Sequence, residues 1–454
     1  MKKIVVFGAS GDVGCYFIDY LLTRKAEYQI VALGHRKHFL IFKNCPSVQY
    51  YSMDITQKSE FNRLPKDIFA VVDFAGVMPA PRGGRMFSEP AVAFLEDLSR
   101  RCMRDAAARA YPDVVTFGFW CRRAALMQRQ AMYDDLDWRL GRGVTFHVAP
   151  SNVAVNFAYS CAAALLAGNA SIVRLPSKDF PQVEILCRLW RDALTEHSEW
   201  QAFFLFVRYG HMDEVNARYS LLADTRVVWG GDETIRRFRQ FPLPPRANEI
   251  TFADRFSLAI LDAEGYLACE DKDAVAQDFY HDTYLSDQQA CTLPHLVVWR
   301  GQETERAREE FWRRLHERAG SSYGLLPVQV VDKLDALLRL GVEQSARQVR
   351  MSDMLIMRAE VAQLTEALMD VRTDSGFFVE YAAKDLLELR PVLGMATQTI
   401  SYFGCSADEI LAVVQTLCPR GGDRIVPIGE TLEFSLFWDG YDLIRDMSRR
   451  IGVL

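Results

Sequence analysis

Of the ten cysteines in this 454-residue chain, Cys291 lies in the run best suited to chemistry, Asp287-Gln288-Gln289-Ala290-Cys291-Thr292. A polar, amide-rich step precedes it, and an apolar run, Leu296-Val297-Val298, follows. That order sets a thiol at the edge of a core rather than inside one. A thiolate attacks carbonyls and thioesters well, and it can leave again after hydride transfer. A cysteine taken at random more often packs as a small apolar residue. The segments around Cys291 shift that balance.

Several strand-to-turn steps could position it. Phe146-His147-Val148-Ala149-Pro150-Ser151-Asn152 ends a strand and leads into a helix of small residues, Phe157 to Leu166. Gly168-Asn169 closes that helix as a C-terminal turn does. Asn152 has the side chain of a helix N-cap. Ser171 to Arg174 reads as a strand entering Leu175-Pro176-Ser177-Lys178. Arg226 to Trp229 reads as another, followed by the turn Gly230-Gly231-Asp232 and a helix. Ile250 to Arg255 and Ser257 to Leu261 precede the region of Cys291.

Composition narrows the class. Half of the residues are hydrophobic, enough for two or three packed domains, and the net charge of −6 argues against a nucleic-acid partner. Lys2-Lys3 run directly into the strand-like Ile4-Val5-Val6-Phe7, too short for a secretory core. The longest apolar window, Val153 to Val173, is interrupted by Asn156, Tyr159, Ser160 and Asn169 and reads as a buried helix, not a membrane span. The cysteines are scattered, with no Cys-x-x-Cys pair and no metal-like His/Cys cluster, which fits reduced thiols in a cytoplasm.

Basic residue usage changes abruptly near residue 80. Residues 1–80 carry seven Lys and three Arg; residues 81–454 carry four Lys and 39 Arg. The glycine- and proline-containing stretch 79–85 lies at the change and reads as a linker. Before it, strands are expected at Ile4–Gly8, Gln29–Leu33, Val48–Met53 and Ala70–Phe74. Gly8, Gly11 and Gly14 follow the first strand, and such glycines let the backbone approach a pyrophosphate at a helix N-terminus. This spacing, with Asp54 after the third strand and Ala75-Gly76 after the fourth, resembles the extended short-chain dehydrogenase/epimerase family. The resemblance implies that Asp54 contacts adenine, and Arg36 leans toward a 2′-phosphate. That family's Tyr-x-x-x-Lys and the second half of its sheet are missing.

From Phe87 on, the order of runs resembles the aldehyde dehydrogenase superfamily, and more closely the LuxC fatty-acyl reductase family. The likeness includes Tyr111-Pro112-Asp113-Val114-Val115-Thr116-Phe117-Gly118-Phe119-Trp120, Asp423-Arg424-Ile425-Val426-Pro427-Ile428-Gly429 and Trp438-Asp439-Gly440-Tyr441-Asp442. It implies an α/β, two-lobed Rossmann-type architecture preceded by a partial Rossmann unit. The expected divisions are 1–80, a linker at 81–86, a cofactor-binding lobe at 87–255, a catalytic lobe at 256–395 and a completing segment at 396–454. It further implies that Cys291 is the acylated nucleophile and that the Asn152 amide holds the oxyanion. Gly230 and Gly231 match the turn beside the cofactor phosphates. Ser177 and Lys178, with Arg174 nearby, stand where a cation would attract the 2′-phosphate of NADPH. Hydrolytic relatives carry a water-activating glutamate in a Glu-Leu-Gly-Gly-Lys run; the matching stretch here is Thr251-Phe252-Ala253-Asp254-Arg255, and Glu249 falls out of register. The expectation is therefore NADPH-dependent reduction of an acyl thioester (fatty acyl-CoA or acyl-protein) to an aldehyde, in a homo-oligomer that an acyl-protein synthetase could supply. The alternatives are an NAD(P)-dependent aldehyde dehydrogenase and a non-catalytic nucleotide-binding fusion. His147 and His281 are candidate proton donors on sequence proximity alone, though a core or surface role suits each better.

Overall fold

Strands of a parallel sheet covered on both faces read as unbroken apolar runs, and such runs build the main sheets of this chain. The computed structural model describes residues 2–7, 9, 15, 18, 21–22, 28–34, 45–52, 63–65, 68–73, 83–344, 346–349, 353–371 and 373–453. The chain divides into two units. One comprises residues 1–229, 233–251 and 447–454; the other comprises 230–232 and 252–446.

The first unit holds two sheets. β1 (Lys2–Phe7), β2 (Tyr28–Gly34), β3 (Val48–Ser52) and β4 (Ile68–Asp73) form a four-stranded sheet in the order β3-β2-β1-β4, with parallel pairing throughout. Alternate residues point to opposite faces. Ile4, Val6, Ile30 and Ala32 join one apolar cluster with Ile18 and Leu21, while Val5, Val31 and Leu33 form another. Met212, far along the chain, packs on the first of these clusters. The expected positions Gly8, Gly11, Gly14, Arg36 and Asp54 lie outside the described residues.

The second sheet of this unit has the order β10-β9-β6-β7-β8, from β6 (Val144–Val148), β7 (Ala170–Arg174), β8 (Phe204–Val207), β9 (Thr225–Trp229) and β10 (Asn248–Phe252). The pairs β6–β7, β6–β9 and β7–β8 are parallel. Between β6 and β7 runs α1 (Asn156–Leu166), buried from Phe157 through Leu166, as its small side chains permit. Gly168 ends it with φ +79°, where a Cβ would lie 2.3 Å from the Gly84 carbonyl oxygen. The close approach lets Gly84 N–H donate to Gly168 O at 2.7 Å and Gly141 N–H donate to Gly84 O at 2.9 Å. Met86 and Phe87 follow, both buried. The end of the stretch expected to be a linker is thus packed against this unit. The C-terminal residues return here too: Ser448–Arg450 pairs antiparallel with β5 (Arg139–Gly141), and Asn169 Nδ2 donates to Met447 O at 2.8 Å.

The second unit is built on a seven-stranded sheet, β13-β14-β15-β12-β11-β16-β17. Its strands are β11 (Phe256–Asp262), β12 (Pro294–Arg300), β13 (Arg347–Val349), β14 (Met357–Glu360), β15 (Phe377–Ala382), β16 (Thr397–Phe403) and β17 (Arg424–Pro427). All pairs are parallel except β13–β14. Leu258, Ile260, Leu296 and Val298 face one core cluster. Ala259, Leu261, Val297 and Trp299 face the other, with Phe311 and Trp312 of α2 (Thr304–Gly320). Among the described residues no helix is long and apolar enough to cross a membrane, and no group of three or more His, Cys, Asp or Glu could hold a metal ion.

Candidate active site

Cys291 lies just before β12 and is half-buried. Its carbonyl accepts a hydrogen bond from Ser257 Oγ at 2.6 Å, and the same Oγ accepts the Thr399 backbone N–H at 3.1 Å. Ser257 pairs with Pro294 in the sheet register. The nucleophile candidate is therefore tied, through its own backbone, to the edge where three adjacent strands begin.

The preceding loop makes a costly turn. Asp287 and Gln288 both adopt left-handed backbone geometry, with φ 52° and 62°. Each such residue costs about 1–2 kcal/mol when it is not glycine. Gln288 supplies the compensation. It is 1% exposed, and its amide is fully engaged: Nε2 donates to Pro294 O at 2.8 Å and Phe377 O at 3.1 Å, and Oε1 accepts Gly376 N–H at 3.0 Å. Bonds of this kind contribute about 1 kcal/mol each. Asp287 is held as well, its Oδ1 by the Tyr323 hydroxyl at 2.7 Å and its carbonyl by Ser375 N–H at 3.0 Å. The loop is thus preformed, which suits a nucleophile that must meet a carbonyl in one orientation. Beside it, burial and the Asp287 and Asp332 carboxylates push the Asp374 carboxyl up to about 7.

Asn152, in the first unit, lies exposed in a bend ahead of α1. It is not the helix cap; Val155 occupies that position. Among the described residues the Asn152 amide has no hydrogen-bond partner. Ser177 and Lys178 are exposed in the turn that follows β7. The Lys178 ammonium stands 5.0 Å from the Phe180 ring centroid, and among the described residues it has no carboxylate partner. Arg174 is committed to its own surroundings, 4.9 Å over the Tyr209 ring and donating to Gly210 O at 3.4 Å.

The glycine turn departs from the expected phosphate cradle. In the second unit, the Asp254 carboxylate lies against Gly231, where a Cβ would come within 2.8 Å of Oδ2. The same oxygen accepts Asp232 N–H at 3.1 Å. A carboxylate thus occupies the helix start where an anionic ligand was expected. Glu249 is also spoken for, bonded to Arg226 and to Arg239 Nε at 3.0 Å. The structure removes His147 from the proton-donor candidates. It is fully buried between Ser160 Oγ at 2.8 Å and Ser171 Oγ at 3.2 Å, and burial pulls it down to about 3. His281 closes a helix, bonded to Gln277.

The fold is a two-lobed, Rossmann-type α/β architecture like that of the aldehyde dehydrogenases. Residues 86–450 match the acyl-CoA reductase (LuxC) family, and the chain belongs to it. Among curated proteins it is 27% identical over 199 residues to a long-chain acyl-protein thioester reductase of Aliivibrio fischeri, a match spanning 39% of this chain and 40% of that one. Among solved structures it resembles an NAD-dependent aldehyde dehydrogenase of Sinorhizobium meliloti at TM-score 0.58 and 15% identity, covering 81% of this chain and 82% of the other. It also resembles an NAD-dependent benzaldehyde dehydrogenase of Corynebacterium glutamicum at TM-score 0.53 and 14% identity, covering 80% and 85%.

These comparisons correct the expectation of NADPH-dependent acyl-thioester reduction. The solved structures that it resembles over four fifths of its length are aldehyde dehydrogenases, whereas the curated thioester reductase aligns with two fifths of it and the family match itself spans residues 86–450. They favour the alternative, dehydrogenation of an aldehyde. The physical reason for the error is that one cysteine adduct connects both oxidation levels, so a nucleophile motif fixes the intermediate and not the direction. Residues 1–85 lie outside the family match, and these comparisons give no support for a separate short-chain dehydrogenase domain there.

Proposed function

We propose that this chain is an NAD(P)-dependent aldehyde dehydrogenase in which Cys291 is the nucleophile. The preformed Cys291 loop carries the reading. The Cys291 thiolate adds to the aldehyde carbon; the C–S bond forms as the carbonyl π pair moves to oxygen. The proposal gives the resulting oxyanion to the Asn152 amide. A bound nicotinamide dinucleotide, for which Ser177 and exposed Lys178 are the proposed contacts, supplies the hydride acceptor. Loss of hydride from carbon leaves an acyl thioester on Cys291. Water then adds, the C–S bond breaks, and the acid departs with the thiolate restored. Lys178 supports acceptance of the 2′-phosphate form of the cofactor.

Hydrolysis needs a base, and Glu249 is tied up in ion pairs. The exposed Asp254 lies three residues before Ser257, whose hydroxyl holds the Cys291 carbonyl. The proposal assigns the water-activating role to Asp254. Asp254→Asn is then expected to spare the first turnover and slow those that follow. Stopped-flow absorbance would record a burst of reduced nicotinamide close to one per protein, and equal slowing of burst and steady state would remove Asp254 from that step.

The direct test is to mix the protein with straight-chain and aromatic aldehydes and either NAD+ or NADP+. Reduced nicotinamide should appear with an equal amount of acid. No reaction with any aldehyde, together with oxidation of reduced cofactor by acyl-CoA, would return the thioester reading. Asn152→Ala should lower turnover by about 10²–10³, the usual loss for one oxyanion donor. Its melting temperature should barely move, because the side chain is exposed and uncommitted. Unchanged turnover would take Asn152 out of the reaction.

For residues 1–80, the order β3-β2-β1-β4 supports the reading as half of a nucleotide-binding sheet.

A further inference from the structure

At Ser257, β11 falls out of step with both of its neighbours. From Phe256 to Leu258 it takes two steps while β16 takes three, Thr397 to Ile400. From Ser257 to Leu258 it takes one step while β12 takes two, Pro294 to Leu296. Each neighbour thus carries one extra residue here. Bulges are uncommon in parallel pairs, and they cluster beside active sites, where they re-aim a side chain. Two that flank a single residue call for a reason in that residue.

The Ser257 hydroxyl supplies one. The side chain is wholly buried. Its Oγ accepts the N–H of Thr399, from the bulged stretch of β16, at 3.1 Å, and donates to the Cys291 carbonyl at 2.6 Å. A serine hydroxyl has one proton to give, and this one gives it to the residue proposed as the nucleophile.

The carbonyl it holds is a particular one. Ala290 to Leu293 form a turn closed by Leu293 N–H, which donates to Ala290 O at 3.0 Å. Cys291 and Thr292 are the central residues, so the Cys291 carbonyl belongs to the central peptide, which the closing bond does not touch. Rotation of that peptide is what separates one turn type from another. It changes ψ of Cys291, and with it the direction of the Cα–Cβ bond relative to the chain on either side. Upstream, the Gln288 amide anchors the loop. Downstream, β12 begins at Pro294. Between these fixed points Ser257 secures the central peptide.

We infer that Ser257 is a positioning residue: by fixing the central peptide of this turn it aims the Cys291 thiol at the bound carbonyl. The inference rests on the reading of Cys291 as the nucleophile. Misplacing a reacting atom by about 1 Å costs about 10²-fold in rate, which sets the scale of the loss when the hydroxyl is removed. A serine that served the sheet alone would cost stability without singling out one step of the reaction.

p-Nitrophenyl acetate tests this on the full chain, with neither aldehyde nor nicotinamide present. The Cys291 thiolate attacks the ester carbonyl, the C–S bond forms, the C–O bond breaks, and p-nitrophenolate leaves as the coloured anion. Ser257→Ala should slow that burst about 10–10²-fold, at an unchanged half-saturating ester concentration. Alkylation of Cys291 by iodoacetamide follows thiol acidity and needs no alignment, so its rate should stay within about twofold of wild type. Ser257→Cys keeps the size of the side chain with a weaker donor, and its burst should fall between the two. Mass spectrometry would map every adduct. A wild-type burst in Ser257→Ala would overturn the inference. So would equal slowing of burst and alkylation, which would place the effect in the acidity of the thiol or in the fold. Should the alanine variant not fold, Ser257→Cys at the wild-type burst rate would overturn it. A wild-type chain that takes no acetyl group on Cys291 would refute the nucleophile reading and this inference with it. One that takes the acetyl group but oxidises no aldehyde would refute the dehydrogenase reading alone, and the burst would still decide the role of Ser257.

Discussion

Cys291→Ala is expected to abolish aldehyde-dependent nicotinamide reduction, lowering turnover by roughly 10⁴–10⁶, the range seen when a covalent nucleophile is deleted. The fold should survive. The side chain is half-buried and small, and the bond that ties this residue to Ser257 uses the backbone carbonyl, which alanine keeps. Several of the other thiols are poor substitutes. Cys102 and Cys121 are buried, and burial raises the first to about 12 and the second well above its ordinary value. Cys405 is raised to about 11 by burial first, with Glu409 and Asp262 adding to it. Thiolates are scarce at such sites near neutral pH. The measurement is steady-state turnover beside intact-mass spectrometry after mixing with aldehyde and cofactor. Wild type should accumulate an acyl adduct that maps to Cys291, and the variant none. A variant that keeps its turnover, or carries the adduct on another cysteine at the wild-type rate, would refute the assignment.

The strands around this residue could be read from sequence because each is buried on both faces. Leu258 to Leu261 and Leu296 to Val298 are unbroken apolar runs that feed two cores at once. The helix from Phe157 to Leu166 was legible from its small residues and from Gly168, whose left-handed turn few other residues adopt. The loop's geometry was not legible. Its two left-handed residues are Asp287 and Gln288, with no glycine to flag them. Gln288 reaches Phe377, 89 positions away, and Ser257 reaches Cys291 across 34; no local pattern records such bonds. The surroundings of the glycine turn were illegible for a related reason. Gly230-Gly231 looks like a phosphate cradle, but the group against Gly231 is the carboxylate of Asp254, brought there by the start of the next strand. Direction of chemistry was the least legible, since a Cys-bound adduct serves oxidation and reduction alike.

Glu380→Leu is expected to be the most destabilising single change in the second unit. Glu380 lies on β15 opposite Val297 of β12, and it is wholly buried. Its Oε1 accepts the indole N–H of Trp299 at 2.9 Å and of Trp312 at 2.6 Å. Its Oε2 accepts Arg308 at 3.2 Å and Arg358 Nε at 2.6 Å. Both arginines are buried, 3% and 7% exposed. Arg308 also reaches Glu360 at 3.0 Å, so the cluster is nearly balanced in charge. Removing the one carboxylate that joins two guanidiniums and two indoles leaves all four donors short of an acceptor in the core. Breaking a buried pair by removing one partner costs about 3–5 kcal/mol, a large share of the roughly 5–15 kcal/mol that holds a domain folded. Activity should fall with the fold, because β15 also supplies the Phe377 carbonyl that anchors Gln288 and so the Cys291 loop. Thermal melting and the soluble yield on expression would read the loss. The converse is a sharper check. Glu380→Leu combined with Arg308→Met and Arg358→Met removes the charges together, and should recover much of the lost melting temperature, since a buried ion cluster replaced by apolar groups of similar size is often neutral or stabilising. A Glu380→Leu protein that melts like wild type would show that the cluster contributes little. A triple variant no better than the single one would place the cost in packing around Trp299 and Trp312 and not in stranded charge.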